Sequence, residues 1–249
     1  MNTRSDSSSI VVLIDADNTK LSAIPAILEE IAKFGATSVR RAYGDWSSSN
    51  LNGWKRVMLD HSIQPVQQFA YTTGKNASDI AMIIQAMDLM HSGRFDGFCL
   101  VSSDSDFTPL AMRLREQTLN VYGFGEKKTP KPFVESCDKF TYIELLGEDD
   151  PSGASEVKPA SDPRLFNLFK NAIDAIGDDN GWASLGGVGS HINKQSSDFD
   201  PRIWGATKLS DLAEAIPKVE VKRSDAKVQV KIIQAKKKAA KKAGQKRGN

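Results

Sequence analysis

The sequence predicts an α/β fold: a parallel sheet with helices on both faces, followed by a smaller winged-helix-like unit. Three observations carry this. Between Ile10 and Glu144, short apolar runs alternate with amphipathic stretches, the pattern of βα units joined by helical crossovers. Residues 147–162, "GEDDPSGASEVKPASD", hold no aromatic and are rich in Pro, Gly, Ser and charge, which is linker composition. Beyond them a helical repeat opens a compact segment that closes on two alternating stretches.

The first strand is predicted at 10–15, where four apolar residues, Val11 to Ile14, run into Asp15. A continuous apolar run of this length fits a strand buried on both faces. Further strands are predicted at 37–43, 63–69, 95–101 and 119–124, with a sixth at 140–143. Amphipathic helices fall between them at 21–34, 51–60, 79–91 and 107–115. In the second unit, "PRLFNLFKNAIDAI" reads as a helix, and "WASLGGVGSHI" and "TKLSDLAEAI" as two more. "VEVKR" and "KVQVKII" read as a closing hairpin, giving helices plus a small β-wing. Trp182, Leu185, Phe199, Trp204 and Leu209 are expected in its core.

With 249 residues, 40% hydrophobic and 26% charged, the chain has the composition of a soluble globular protein. No apolar run approaches the roughly 20 residues that span a bilayer. The start, "MNTRSDSSS", has no signal-peptide core, so a cytoplasmic protein with no membrane partner is expected. Cys99 and Cys137 are the only cysteines, which excludes a disulfide framework. The net charge of +2 conceals an asymmetry. Residues 235–249 hold seven Lys or Arg and no acid; removing them from 33 basic residues leaves 26 against 31 acidic. An acidic body with a basic tail points to a polyanionic partner, most simply nucleic acid, against the alternative of a solvated, disordered end.

Four acids stand at informative places. Asp15 ends the first strand, Asp79 opens the third helix with Ser78 in a capping position, and Asp104 and Asp106 follow the fourth strand. In a doubly wound sheet strands one and four are neighbours, which places Asp15 and Asp104 at the crevice where the winding reverses. Gathered carboxylates repel one another unless a cation compensates, and oxygen-only ligands favour Mg²⁺ or Mn²⁺. The alternative is structural: Asp before a helix is a good N-cap, so Asp79 and Asp106 could serve only to start their helices.

"VVLIDADN", "KNASDIAM" and "LVSSDSDFTPLAMRLRE", in this order, resemble the NYN domain, a branch of the PIN-like ribonucleases, over residues 10–145. The resemblance implies a PIN-like three-layer α/β/α sheet and Mg²⁺- or Mn²⁺-dependent, endo-type cleavage of RNA. It carries the catalytic and metal-ligating roles onto Asp15, Asp79, Asp104 and Asp106. Asn18 and Ser103 are supporting polar residues, and so is Asp17, which stands where the family varies. Lys75, in "TTGKN" before Asp79, is placed to touch a substrate phosphate. "GWASLGGVGSHINKQSSDFDPRIWGATKLSDLAEAI" is similar to the LOTUS, or OST-HTH, domain, here spanning 163–233 after a flexible linker at 146–162. That family is winged-helix-like and associated with RNA binding and, in some members, a protein partner. Lys194, Arg202 and Lys208 are the RNA-contact candidates of this unit, with solvated charge as the alternative. The tail at 234–249 adds Lys236, Lys237, Lys238, Lys241 and Lys242.

Two other readings compete. "DADNT" matches the Asp-x-Asp-x-Thr pattern of haloacid-dehalogenase-type phosphatases, in which Asp15 would attack phosphorus and Asp17 act as general acid. Against it, "SSDSDF" lacks the preceding Gly of that family's later acidic motif, and no cap-like insertion is evident. The other is an RNA-binding adaptor that keeps a nuclease-like fold without activity.

Overall fold

The computed structural model describes residues 8–68, 77–147, 158–224 and 227–233. The first unit is a six-stranded parallel sheet: β1 (Ser9–Asp15), β2 (Ala36–Gly44), β3 (Gln64–Gln67), β4 (Gly97–Val101), β5 (Asn120–Gly125) and β6 (Lys139–Tyr142). Its strand order is β3-β2-β1-β4-β5-β6, so the chain winds one way from β1 and the other way from β4. The connecting helices are α1 (Ile24–Ile31), α2 (Trp54–Asp60), α3 (Ala77–His91), α4 (Thr108–Glu116) and α5 (Lys131–Ser136). Pro25, Pro109 and Pro132 lie in the first turns of α1, α4 and α5, where a missing N–H has no partner to lose.

The period of two along each strand divides the core. Val11, Leu13, Phe98, Leu100 and Val121 pack with α3, α4 and α5 on one face. Ile10, Val12, Ile14, Cys99, Val101 and Phe124 pack with α1 and α2 on the other. Both faces of β1 are therefore covered, which is why its apolar run is unbroken. Cys99 and Cys137 are both buried and free. At Gly123 a Cβ would stand 2.5 Å from the Phe140 ring, so glycine is what lets β6 lie close against β5.

The second unit contains α6 (Pro163–Ile176), β7 (Ala183–Ser184), α7 (Leu185–Gln195), α8 (Leu209–Glu214), β8 (Val219–Ser224) and β9 (Lys227–Ile232). Its antiparallel sheet runs β7-β9-β8, so the predicted hairpin gains a short third strand. Asp162 caps α6 by accepting from the Arg164 and Leu165 amides, and its other oxygen accepts from Trp204 Nε1 at 2.8 Å. Leu185, Phe199 and Trp204 are core residues and Leu209 packs against them, as expected. Trp182 is not: it is half-exposed and lies outside that cluster.

One further expectation needs correction. Ser78 does not cap α3 but is its second residue. Residues 131–136, for which the sequence carries no helical period, form α5. The two units are joined by specific bonds along β6 and α5. The Phe140 amide donates to Ser197 O at 2.8 Å, Ser197 Oγ donates to Val134 O at 2.7 Å, and Lys139 Nζ donates to Phe199 O at 2.6 Å. These cover a strand edge that would otherwise be an open template for pairing. Most of the linker, 148–157, and the tail at 234–249 lie outside the described residues, as does Lys75. No described helix is long and apolar enough to cross a membrane.

Candidate active site at the switch point

The crevice between the C-terminal ends of β1 and β4 is built by register. Ile14 pairs with Val101 in parallel, so Asp15, the last residue of β1, and Ser102, the first after β4, stand side by side at the same gap. Asp15 is only 1% exposed. Its Oδ2 accepts from Ser102 Oγ at 2.7 Å and from Asn18 Nδ2 at 3.0 Å, and its Oδ1 from the Asn18 amide at 3.3 Å. Burial pushes the Asp15 carboxyl above its ordinary value, against the pull of these hydrogen bonds.

Ser102 links the two strands further. Its Oγ accepts from the Asp104 amide at 3.1 Å, and Asp104 Oδ1 accepts from the Asp106 amide at 2.9 Å. Asp104 thereby caps the short 3-10 turn at Ser105–Phe107. The cap expected of Asp106 falls to Asp104 instead: one Asp104 oxygen serves the turn, and Asp106 lies inside it.

Asp79 comes from α3, which Gln85 ties to β2 by accepting from Tyr43 OH at 2.9 Å and Arg41 Nη1 at 2.8 Å. Asp79 is 7% exposed, and its carboxyl is pushed up to about 6. Burial is the largest cause, followed by the charges of Asp15, Asp104, Asp106 and Asp17, so all five carboxylates act on one crevice. Among the described residues, however, no group of three or more His, Cys, Asp or Glu stands together closely enough to hold one metal ion.

This raised value has a sign that can be checked. A carboxyl at about 6 in the fold and 3.8 when unfolded destabilises the folded chain once ionised. In chelator, stability is therefore expected to rise as the pH falls from 7 through 6 toward 4. Asp79→Asn, which removes the charge, is expected to raise the melting temperature at pH 7 by an amount corresponding to about 1–3 kcal/mol. A lower melting temperature for that variant would show that the Asp79 charge is compensated by another group.

The other predicted residues fall in several places. Asp17 and Asn18 lie exposed on the loop after β1. Ser103 faces away from Asp15, its Oγ accepting from the Glu126 amide at 2.9 Å, which holds the β5 end to the loop. Lys194 and Lys208 are exposed on the second unit, and Lys194 lines a groove between the units with Arg115, Lys131 and Arg164. Arg202 is not a free RNA contact. Its guanidinium is bonded to Glu30 Oε1 at 2.9 Å, Glu30 Oε2 at 3.2 Å and Asp200 Oδ2 at 2.7 Å.

Sequence reasoning missed Ser102, Lys20 and Lys128. Lys20 and Lys128 are both paired with Glu126, at 3.1 Å and 2.6 Å, and the Glu126 amide donates to Ser103 Oγ on the loop after β4. Ser102 could have been singled out only with the β1–β4 register in hand, because "SSDSD" offers two adjacent serines.

A family model for the NYN domain matches residues 9–144, and one for the OST-HTH/LOTUS domain matches residues 158–230. Among solved structures, a protein of unknown function from Vibrio parahaemolyticus is 16% identical, with a TM-score of 0.46, covering 55% of this chain and 94% of that one. The solution structure of residues 175–257 of a Chromobacterium violaceum protein is 27% identical, with a TM-score of 0.26, covering 34% of this chain and 99% of that one. No curated protein matches the chain.

Proposed function

We propose a metal-dependent ribonuclease, from the premise that the chain belongs to the NYN family and carries an OST-HTH/LOTUS domain behind its NYN domain. An NYN domain is a nuclease-type, PIN-like domain and an OST-HTH domain binds RNA, so the pair fits a nuclease or RNA-binding role. The observation that supports hydrolysis is Asp79, held up to about 6 by burial and four neighbouring carboxylates. That is an excess of negative charge a hard divalent cation would offset, and the donors are all oxygen, so the residues suit Mg²⁺ or Mn²⁺ in kind. Asp15, Asp79, Asp104 and Asp106 would hold it. When bound, such an ion supplies a Lewis acid for a phosphoryl oxygen and a water of lowered pKa.

The chain's own residues orient this set. Ser102 and Asn18 fix the Asp15 carboxylate from two sides, and Ser102 joins it to the Asp104 loop. Lys20 and Lys128 meet at Glu126, whose amide donates to Ser103 Oγ beside Ser102, and are suited to flank a substrate phosphate. The phosphatase reading is weakened, because a nucleophile must reach substrate and Asp15 is 1% exposed with both oxygens bonded.

One observation favours a second reading, RNA binding without hydrolysis: no three ligating side chains among the described residues stand at one ion's reach. Incubating the full chain with end-labelled single-stranded RNA separates the two. Cleavage with Mn²⁺ or Mg²⁺ that stops in chelator is expected. Retained RNA binding with no cleavage in either ion would establish the adaptor, and phosphate release from small phosphomonoesters the phosphatase.

A further inference from the structure

The outer face of the β7-β9-β8 sheet carries chemistry that neither the core nor the crevice uses. Ala183 pairs with Val230 and both are buried, so the alternation of the strands turns Trp182, Lys231 and Lys222 the other way. Lys227 shares that face, and among the described strand residues Glu220 is its single acid. Trp182 is half-exposed, and the ammonium groups of Lys222 and Lys231 each stand 5.9 Å from its ring centroid. The Lys231 stem lies along Gly181, where a Cβ would meet it at 3.6 Å, so this lysine is laid down beside the ring. The segment is also held firmly: the Trp182 amide donates to Asp178 Oδ1 at 2.9 Å.

We propose that Trp182, Lys222 and Lys231 form a single-stranded RNA site on this wing, the indole stacking an unpaired base while the two lysines neutralise flanking phosphates. A large indole left outside a core, on a sheet face whose described strand residues include three lysines and one acid, matches the two demands of single-strand binding: a flat apolar platform and positive charge beside it. Cation–π attraction keeps the ammonium groups at the ring without a ligand, which reduces the ordering needed when RNA arrives. Double-stranded RNA offers no free base face at its grooves, so the site selects unpaired segments. The proposal rests on the RNA reading above and moves the binding site from Lys194, Arg202 and Lys208 to the wing.

The test uses the full chain in chelator, with a fluorescent oligouridylate of about 12 nucleotides and an RNA duplex of similar length, read by anisotropy across a salt series. Trp182→Ala is expected to weaken oligouridylate binding about tenfold, and Trp182→Phe, which keeps a stacking ring, by less than about threefold. Lys222→Ala combined with Lys231→Ala is expected to lower the salt slope by about 1.4, since each single-strand phosphate contributes roughly 0.7. The lysine pair is on the surface and decides the matter should Trp182→Ala fail to fold. If the parent binds and these variants bind equally well with the same slope, the wing is not the site. If Trp182→Ala loses duplex and single strand alike, base stacking is wrong. A parent that binds neither RNA overturns the RNA reading itself, and the wing site with it.

Discussion

Asp15→Asn is expected to lower RNA cleavage by about a thousandfold while the chain stays folded. The substitution keeps the shape of the side chain and removes only its charge, at a position 1% exposed and central to the carboxylate set. Losing one charged ligand of a phosphoryl-transfer site removes several kcal/mol of transition-state stabilisation, which is the thousandfold figure. Folding should survive because two effects oppose. The amide nitrogen of Asn cannot accept from Ser102 or Asn18, which costs about 1–3 kcal/mol. Against that, burial already disfavours the ionised Asp15, and neutralising it also relieves Asp79. Ser102→Ala acts only by releasing one Asp15 oxygen and the Asp104 amide, so a loss of about 10–100-fold is expected, the usual range for a group that orients a ligand. Asp17→Asn, on the exposed loop, should stay within about tenfold. Initial rates at saturating RNA, with melting curves for each variant, check the series. An Asp15→Asn chain that cleaves at the parent rate would remove Asp15 from the chemistry.

The placement of Asp15 and Asp104 was legible because it needs only strand order. Six apolar runs separated by amphipathic stretches force a parallel sheet, and the reversal of winding at β1 and β4 then brings their ends together. What sequence does not carry is register and long-range pairing. The parallel alignment of Ile14 with Val101 decides that Ser102, not Ser103, bonds Asp15, and nothing in "SSDSD" distinguishes them. α5 is too short, at six residues, for a helical period to show. Trp182 sits in an amphipathic stretch that reads as core until the Ala183–Val230 pairing turns it outward. Arg202 looked like a free cation because its partner Glu30 lies 172 residues away.

Arg202→Ala is expected to destabilise the chain by about 2–3 kcal/mol at pH 7 and to uncouple its two units. The guanidinium bridges Asp200, 5% exposed, and Glu30 on α1, whose side chain is 12% exposed, while its own side chain is 29% exposed. Removing one partner of such a group leaves carboxylates out of water without their counter-charge, which is worse than never having buried the pair. Lys139, nearby on β6, compensates in part, but burial pulls it below the usual lysine range and it is spent on Phe199 O. Burial pushes the Asp200 and Glu30 carboxyls upward, yet the hydrogen bonds and charge of Arg202 overcome it and hold both below their ordinary 3.8 and 4.5. Folded values lowered in this way stabilise the chain above the unfolded values, and that stability is lost as the pH falls through the folded ones. The deficit of Arg202→Ala should therefore be full at pH 7 and shrink below about pH 4. Arg202→Lys keeps the charge without the two-pronged contact and should recover only part of it. Denaturant unfolding at both pH values reads the loss, and a single transition that splits into two reads the uncoupling. A variant with the parent's midpoint and one transition would show that the β6 edge bonds alone fix the second unit. Should the transition split, a wing that binds RNA no longer stands at a fixed place relative to the crevice, and cleavage at low RNA concentration should fall more than cleavage at saturation.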